Sequence, residues 1–444
     1  MYRLSMPGRI LPAARISPGR GAQDRSAAAD SRWLVVVIMS VTLLLRTAGL
    51  SAADSELPGS PVPSDPVFTA HLLDGTTVTG RIHQINPSGA IALQPAEGPE
   101  QVLPLEGLLK LTRDGASPPA TGPAEGALVL FPDGDRLYRT VIGAASETAI
   151  EVQSYAMGNL AIPLESLLGL VLTLPSESAA IDNMLTRIRS EPRNSEELWM
   201  ANGDHLAGAF LGMDEKRVKF QAPSGPIDVD RRGIVSLEFA PNVVVYPRPE
   251  GDFLELTMAD GSRLGVSRAR IEQGHVVATA RYQGNIRVAL SELVQVHART
   301  SRIAYLSERP ATAEQYVAYV GPTRPYRRDL NVEGHPLRLA GQPYDHGIGT
   351  QSRTLLAYRL SNGDSRFQAR VGLDDGAGPL GSVVFRVLVD GKERFASPPM
   401  SVRDTPRAID IDVSGAKALI LVTEFGERGE IRDLADWVEA RIVR

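Results

Sequence analysis

The chain contains no cysteine. That removes disulfides, thiol nucleophiles, thiolate metal sites and the acylated cysteine of a bacterial lipoprotein anchor. Histidine is sparse, with seven residues scattered from His71 to His346, and no His-Glu-x-x-His, Gly-x-Ser-x-Gly or P-loop pattern occurs. No long α/β stretch of the kind a glycosidase barrel needs is present. Carboxylate pairs exist, but spacing alone places none of them across a glycosidic bond. Excess positive charge is also missing: 47 basic residues face 52 acidic ones, a net charge of −5. A nucleic-acid footprint is therefore not supported. Aromatic residues make up 5% of the chain, so an exposed aromatic in a loop carries more weight than usual.

The apolar run Trp33 to Leu45 is 13 residues long. Spanning the hydrocarbon core of a bilayer takes about 20 residues. Arginines at 20, 25 and 32 precede the run, and Ser51-Ala52-Ala53 follows it before Asp54. This pattern predicts a secretory signal over 1–53, cleaved after Ala53, and hence a secreted, periplasmic or cell-envelope protein. An uncleaved N-terminal anchor is the other reading. At 444 residues, 43% apolar and 22% charged, the chain has room for several domains.

After a Pro/Ser linker over 54–66, one phrase recurs. Leu73-Asp74-Gly75, Pro132-Asp133-Gly134, Ala201-Asn202-Gly203 and Ala259-Asp260-Gly261 each sit between apolar stretches, and the turn glycines are 58 to 69 residues apart. Asp-Gly and Asn-Gly are strong hairpin signals because both residues tolerate φ > 0. Alternation in Ala149-Ile150-Glu151-Val152 and Arg217-Val218-Lys219-Phe220 indicates half-buried strands. Each unit then reads as four or five short strands forming a small SH3-like barrel. The units are expected at 67–113, 127–173, 195–240 and 252–300. Between the second and third, residues 177–190 carry Ala180, Ile181, Met184, Leu185 and Ile188 at helical spacing, ending before Pro192. This connector helix is expected to pack on a neighbouring barrel.

Residues 303–444 read as many short antiparallel strands with Gly/Asn/Asp turns, which predicts a β-sandwich. Several phrases sharpen this: Asn331 to Leu339, Gly341-Gln342-Pro343-Tyr344, Gly347-Ile348-Gly349-Thr350, Phe367 to Asp375 and Asp433-Leu434-Ala435-Asp436-Trp437. Their order resembles the NPCBM family of carbohydrate-binding modules, often appended to glycoside hydrolases. The resemblance implies a galactose-binding-like jelly roll. Relatives usually place His after the Gly-x-Gly-Thr turn, where this chain has Gln351. Glutamine replaces an imidazole as hydrogen-bond partner but not as a titrating group.

The fold expectation is thus mainly β: four degenerate barrel-like repeats followed by a C-terminal β-sandwich jelly roll. Sugar rings stack their C–H faces on aromatics and need paired donors and acceptors for their hydroxyls. Candidate carbohydrate-binding residues are Tyr344, Asp345, His346, Arg353, Asp374, Asp375, Asp433 and Trp437, with Tyr326 and Phe425 as further stackers. Trp437 also reads as a core residue, and Asp374-Asp375-Gly376 as a turn cap. Jelly rolls of this type often hold a structural Ca²⁺, for which Asp374, Asp375, Asp433 and Glu439 are the candidate ligands. The functional expectation is an exported, non-catalytic protein that binds a polysaccharide or glycoconjugate glycan. The alternatives are an envelope scaffold contacting other envelope proteins, or an accessory subunit of a glycoside hydrolase.

Overall fold

The computed structural model describes residues 65–116, 126–319, 324–427 and 429–444. The expected signal segment and most of the first linker lie outside the described residues. Among the described residues no helix is long and apolar enough to cross a membrane.

The first twenty strands join in one sheet system. Its pairing follows a single scheme, seen first in Val67–Leu72, Thr77–Ile85, Ile91–Gln94, Gln101–Leu103 and Leu108–Arg113. The first four pair in sequence, and the fifth returns to pair with the first. The five strands of 127–171, of 196–238 and of 253–299 pair in the same way. Each first hairpin turns on the glycine read from the sequence: Gly75, Gly134, Gly203 and Gly261 have φ of +88°, +80°, +89° and +89°. Of the preceding residues only Asp133 also adopts positive φ. In the other three hairpins the Asp or Asn side chain instead accepts the backbone N–H two residues on, as Asp74 does from Thr76 at 2.9 Å. Alternation holds along Arg217–Ala222, where Val218, Phe220 and Ala222 are buried and the residues between them exposed.

Fifth strands join one unit to another. Leu108–Arg113 pairs with Leu293–Arg299, and Gly169–Val171 with Ile234–Glu238. Helix Ser178–Ser190 buries Ile181, Met184, Leu185 and Ile188 against Leu128, Leu130, Leu168 and Val171. Its outer side holds the C-terminal module: Asp182 accepts two hydrogen bonds from Arg338, at 2.7 and 3.1 Å, and Thr186 donates to the Gly334 carbonyl.

The C-terminal module is a two-sheet sandwich. One sheet orders Arg327–Arg328, Gly347–Gln351, Leu434–Val443, Arg366–Leu373 and Arg407–Asp412, with Ile303–Tyr305 also on the long Leu434–Val443 strand. The other orders Ala313–Tyr316, Thr354–Arg359, Ala418–Phe425, Val383–Val389 and Lys392–Ala396. Phe367, Phe385, Leu421 and Trp437 fill the space between the sheets. Buried residues alternate with less buried ones along Thr354–Arg359, because successive side chains point to opposite faces.

Candidate functional site

The residues expected to bind sugar divide between two ends of the strand Gly347–Gln351. From Asp345 to Gln351 is about 20 Å at some 3.3 Å per residue. At the Asp345 end the module meets the N-terminal strands. Asp345 accepts from Arg136 at 2.7 Å and pairs with Arg263 at 3.1 Å. Burial works against its charge, but the two guanidiniums hold its carboxyl well below the ordinary range. His346 lies between Glu255, 3.8 Å from Nε2, and Asp329, 3.7 Å from Nδ1, with its ring stacked on Tyr305 at 4.4 Å. Burial opposes charge on this imidazole, yet the flanking carboxylates of Asp329 and Glu255 carry its pKa up to about 9. Asp345 and His346 are thus engaged in holding the module to the N-terminal strands. Tyr344 is half-buried on the same side, packed with Leu337, Leu339 and Val438.

Other expected residues serve the module itself. Trp437 is fully buried, its ring edge-on to Phe385 at 5.2 Å and its Nε1 donating to Thr423 at 3.1 Å. It has no face to offer a sugar and belongs to the core. Asp374 is buried and accepts three N–H groups: Asn331 at 3.0 Å, Gly376 at 2.9 Å and Arg338 at 3.1 Å. Asp375 accepts from the Gly341 N–H at 2.9 Å. These contacts cap turns, the other reading given to this pair. Arg353 pairs with Glu424 at 3.1 Å.

The residues expected to hold calcium do not fit such an ion. The carboxylate of Asp374 is taken by those N–H donors, Asp433 accepts from Ser352 and Ser382, and Glu439 pairs with Arg441 at 3.1 Å. Among the described residues no three His, Asp or Glu side chains gather as a metal would require.

At the Gln351 end the surface is concave. Two adjoining hollows of about 160 and about 680 Å³ share Arg324, Val332 and Glu333. Asn331 builds this wall by accepting the N–H groups of Glu333 and His335, each at 3.0 Å. Glu333 then accepts from Arg324 at 3.0 Å and Arg432 at 3.3 Å, which sets three charged groups around one rim. Gln351 closes the smaller hollow, and its side-chain amide makes no hydrogen bond to another described residue. Asp433 lies in the same hollow and is nearly inaccessible; burial pushes its carboxyl up to about 6. Beside Glu430 on this rim, Tyr319 is 70% exposed, edge-on to Phe425 at 5.6 Å. Tyr326 lines the larger hollow.

This arrangement supplies donors, acceptors and one exposed ring, which suits hydroxyl-rich ligands. Only Gln351, Asp433, Tyr326 and Phe425 in it were read from the sequence. Arg324, Arg432 and Tyr319 lie in loops outside the quoted phrases, and Glu333, within the Asn331 to Leu339 phrase, is not marked there as a contact. Tyr319 had a usable signal: it is a loop aromatic in a chain with few.

Residues 302–443 match the family model of the NPCBM/NEW2 domain. The C-terminal module is an NPCBM domain. A Renibacterium salmoninarum protein whose name is that of an endo-alpha-N-acetylgalactosaminidase is 27% identical over 159 residues, which is 33% of this chain and 10% of that protein. The chain therefore spans about a tenth of that relative. Among solved structures, the Clostridium perfringens GH95 CBM51 in complex with methyl-galactose is 26% identical, with TM-score 0.29, over 32% of this chain and 99% of that one. A C. perfringens ZmpB fragment holding CBM51-2 with GlcNAc is 22% identical, with TM-score 0.30, over 43% of each chain.

Proposed function

We propose that the chain is an exported glycan-binding protein that recognises sugar in the hollow of its NPCBM domain and carries out no covalent step. Gln351, Arg324, Glu333 and Arg432 serve hydroxyls, and Tyr319 offers a ring to a pyranose face. The observation that carries the reading is the amide of Gln351, without a hydrogen-bond partner among the described residues, inside a concave polar wall of a carbohydrate-binding-family domain. The N-terminal strands are read here as four repeats of one small-barrel unit that sets the module at a distance from its attachment.

A second reading has a specific observation behind it. Leu380, Ile431 and Tyr319 are exposed by 50%, 52% and 70%, and such apolar groups also suit a protein partner in the envelope. Binding of the whole chain to a glycan array, repeated with chelator, separates the two. Saturable binding to a glycan class that is lost in Gln351→Ala and indifferent to chelator supports the sugar site without calcium. A blank array with a folded protein overturns it and favours the protein partner.

A further inference from the structure

Between the N-terminal strands and the NPCBM domain lies a second cleft, of about 470 Å³. Ligand sites typically measure roughly 300–1,000 Å³. It opens beside Tyr344, at the end of the strand away from Gln351. Every acidic side chain on its wall is already matched by an arginine. Asp182 pairs with Arg338 at 2.7 Å, Asp345 with Arg136 at 2.7 Å, Glu439 with Arg441 at 3.1 Å and Glu255 with Arg299 at 3.5 Å.

The basic side chains are not all used. Those of Lys110, Arg189 and Arg370 line the cleft and make no hydrogen bond or ion pair with another described residue. The Arg189 Nε atom is buried in that condition. Burial pulls Lys110 below its ordinary pKa; Glu439 opposes that shift, and Arg441 and Arg370 add to it. Lys110 and Arg189 are partly buried cations with no ion-pair partner among the described residues, and Arg370 stands exposed at the edge of the same cleft, so the protein has a reason to meet an anion there. Two neighbours suit a sugar ring. His297 has a buried Nε2 with no partner, and burial carries its pKa down to about 4, leaving a neutral imidazole for a hydroxyl. Tyr344 adds a half-buried aromatic face.

We propose that this cleft binds an acidic saccharide, its carboxylate or sulfate group held by Lys110, Arg189 and Arg370 and its ring set against Tyr344. The site is separate from the hollow at Gln351 and takes a different ligand class.

Calorimetric titration of the full chain with glucuronic acid, galactose 6-sulfate, galactose and inorganic sulfate tests this. At least one acidic sugar is expected to bind about tenfold more tightly than galactose, and to weaken as salt is raised. Which acidic sugar wins distinguishes carboxylate from sulfate. The double variant Lys110→Ala/Arg189→Ala is expected to lose tenfold or more of that affinity, while Gln351→Ala keeps it. Neither cation forms a hydrogen bond or ion pair with another described residue, and the attraction of Lys110 to Glu439 is opposed by its burial, so the melting temperature of the double variant should stay close to the parent's. Should it unfold, Arg370→Gln at an exposed position carries the same comparison. Acidic sugars binding no better than galactose, variants binding like the parent, or inorganic sulfate binding as tightly as either acidic sugar would each overturn the proposal.

Discussion

Asp345 of the NPCBM domain accepts a 2.7 Å hydrogen bond from Arg136, a residue 209 positions earlier in the chain. Arg136 Nη1 also donates to the Gly134 carbonyl at 3.0 Å, so one guanidinium ties the second hairpin turn to the module. Arg263, 3% exposed, flanks the same carboxylate. Asp345→Ala leaves both cations short of a partner in a poorly hydrated place. Because Asp345 itself is 36% exposed, the expected loss is about 2–3 kcal/mol, below that for a fully buried pair. Urea unfolding of the single and double variants with Arg136→Ala should give a clear coupling energy; additive effects would show that the contact holds nothing.

His346 makes the same junction sensitive to alkali. Its pKa rises from 6.5 to about 9 on folding because Asp329 and Glu255 favour the imidazolium more than burial opposes it. A raised value means the stabilisation is complete below pH 6.5 and disappears as pH climbs through 9. The expected decline is roughly 2–3 kcal/mol across that window. His346→Gln should be less stable at pH 6 and show a flatter profile. Parallel profiles for the two proteins would rule the linkage out.

Asp436 is fully buried, and burial together with the neighbouring Asp374 pushes its carboxyl well above the usual carboxylate range. The folded state therefore keeps a proton that the unfolded chain releases above about pH 4. Stability should fall with rising pH by about 1.4 kcal/mol per pH unit until the folded carboxyl ionises. Asp436→Asn has the shape of the neutral acid and nothing to release. It is expected to match or exceed the parent at pH 7, a result thermal melts at pH 5 and pH 7 will read directly.

Gln351 separates binding from folding. Its amide has no partner among the described side chains, so Gln351→Ala should leave the melting temperature within about a degree. If the amide meets a sugar hydroxyl, affinity drops by about 1–1.5 kcal/mol, close to tenfold. An unchanged affinity for a glycan that does bind would move the site away from this hollow.

Much of the architecture was legible because it rests on local rules. Asp74-Gly75 and its counterparts declare hairpins through backbone dihedrals that few other residues adopt. Ile181, Met184, Leu185 and Ile188 declare a helix through their spacing and are buried where that spacing puts them. The NPCBM match over 302–443 takes in the phrases read from the sequence, Asp433 to Trp437 among them. Side-chain roles were less legible. Asp345 and His346 stand in a glycine-rich loop and carry good sugar-binding chemistry, but another part of the chain covers them. Trp437 alternates correctly for either face of a strand, and only the second sheet makes its face the inner one.

By itself the sequence determined the strand-rich character, the turn positions, the connector helix and the kind of module at the C-terminus. These follow from dihedral preference and periodicity, which act over a few residues. Tertiary structure alone decided which polar groups are spent and which are free. Arg136 meets Asp345, Asp182 meets Arg338, and the side-chain amide of Gln351 bonds no other described residue. Pairing of that kind depends on distances of a few ångströms between segments far apart in sequence, where charge and hydrogen bonding fall off too steeply for pattern to foresee them.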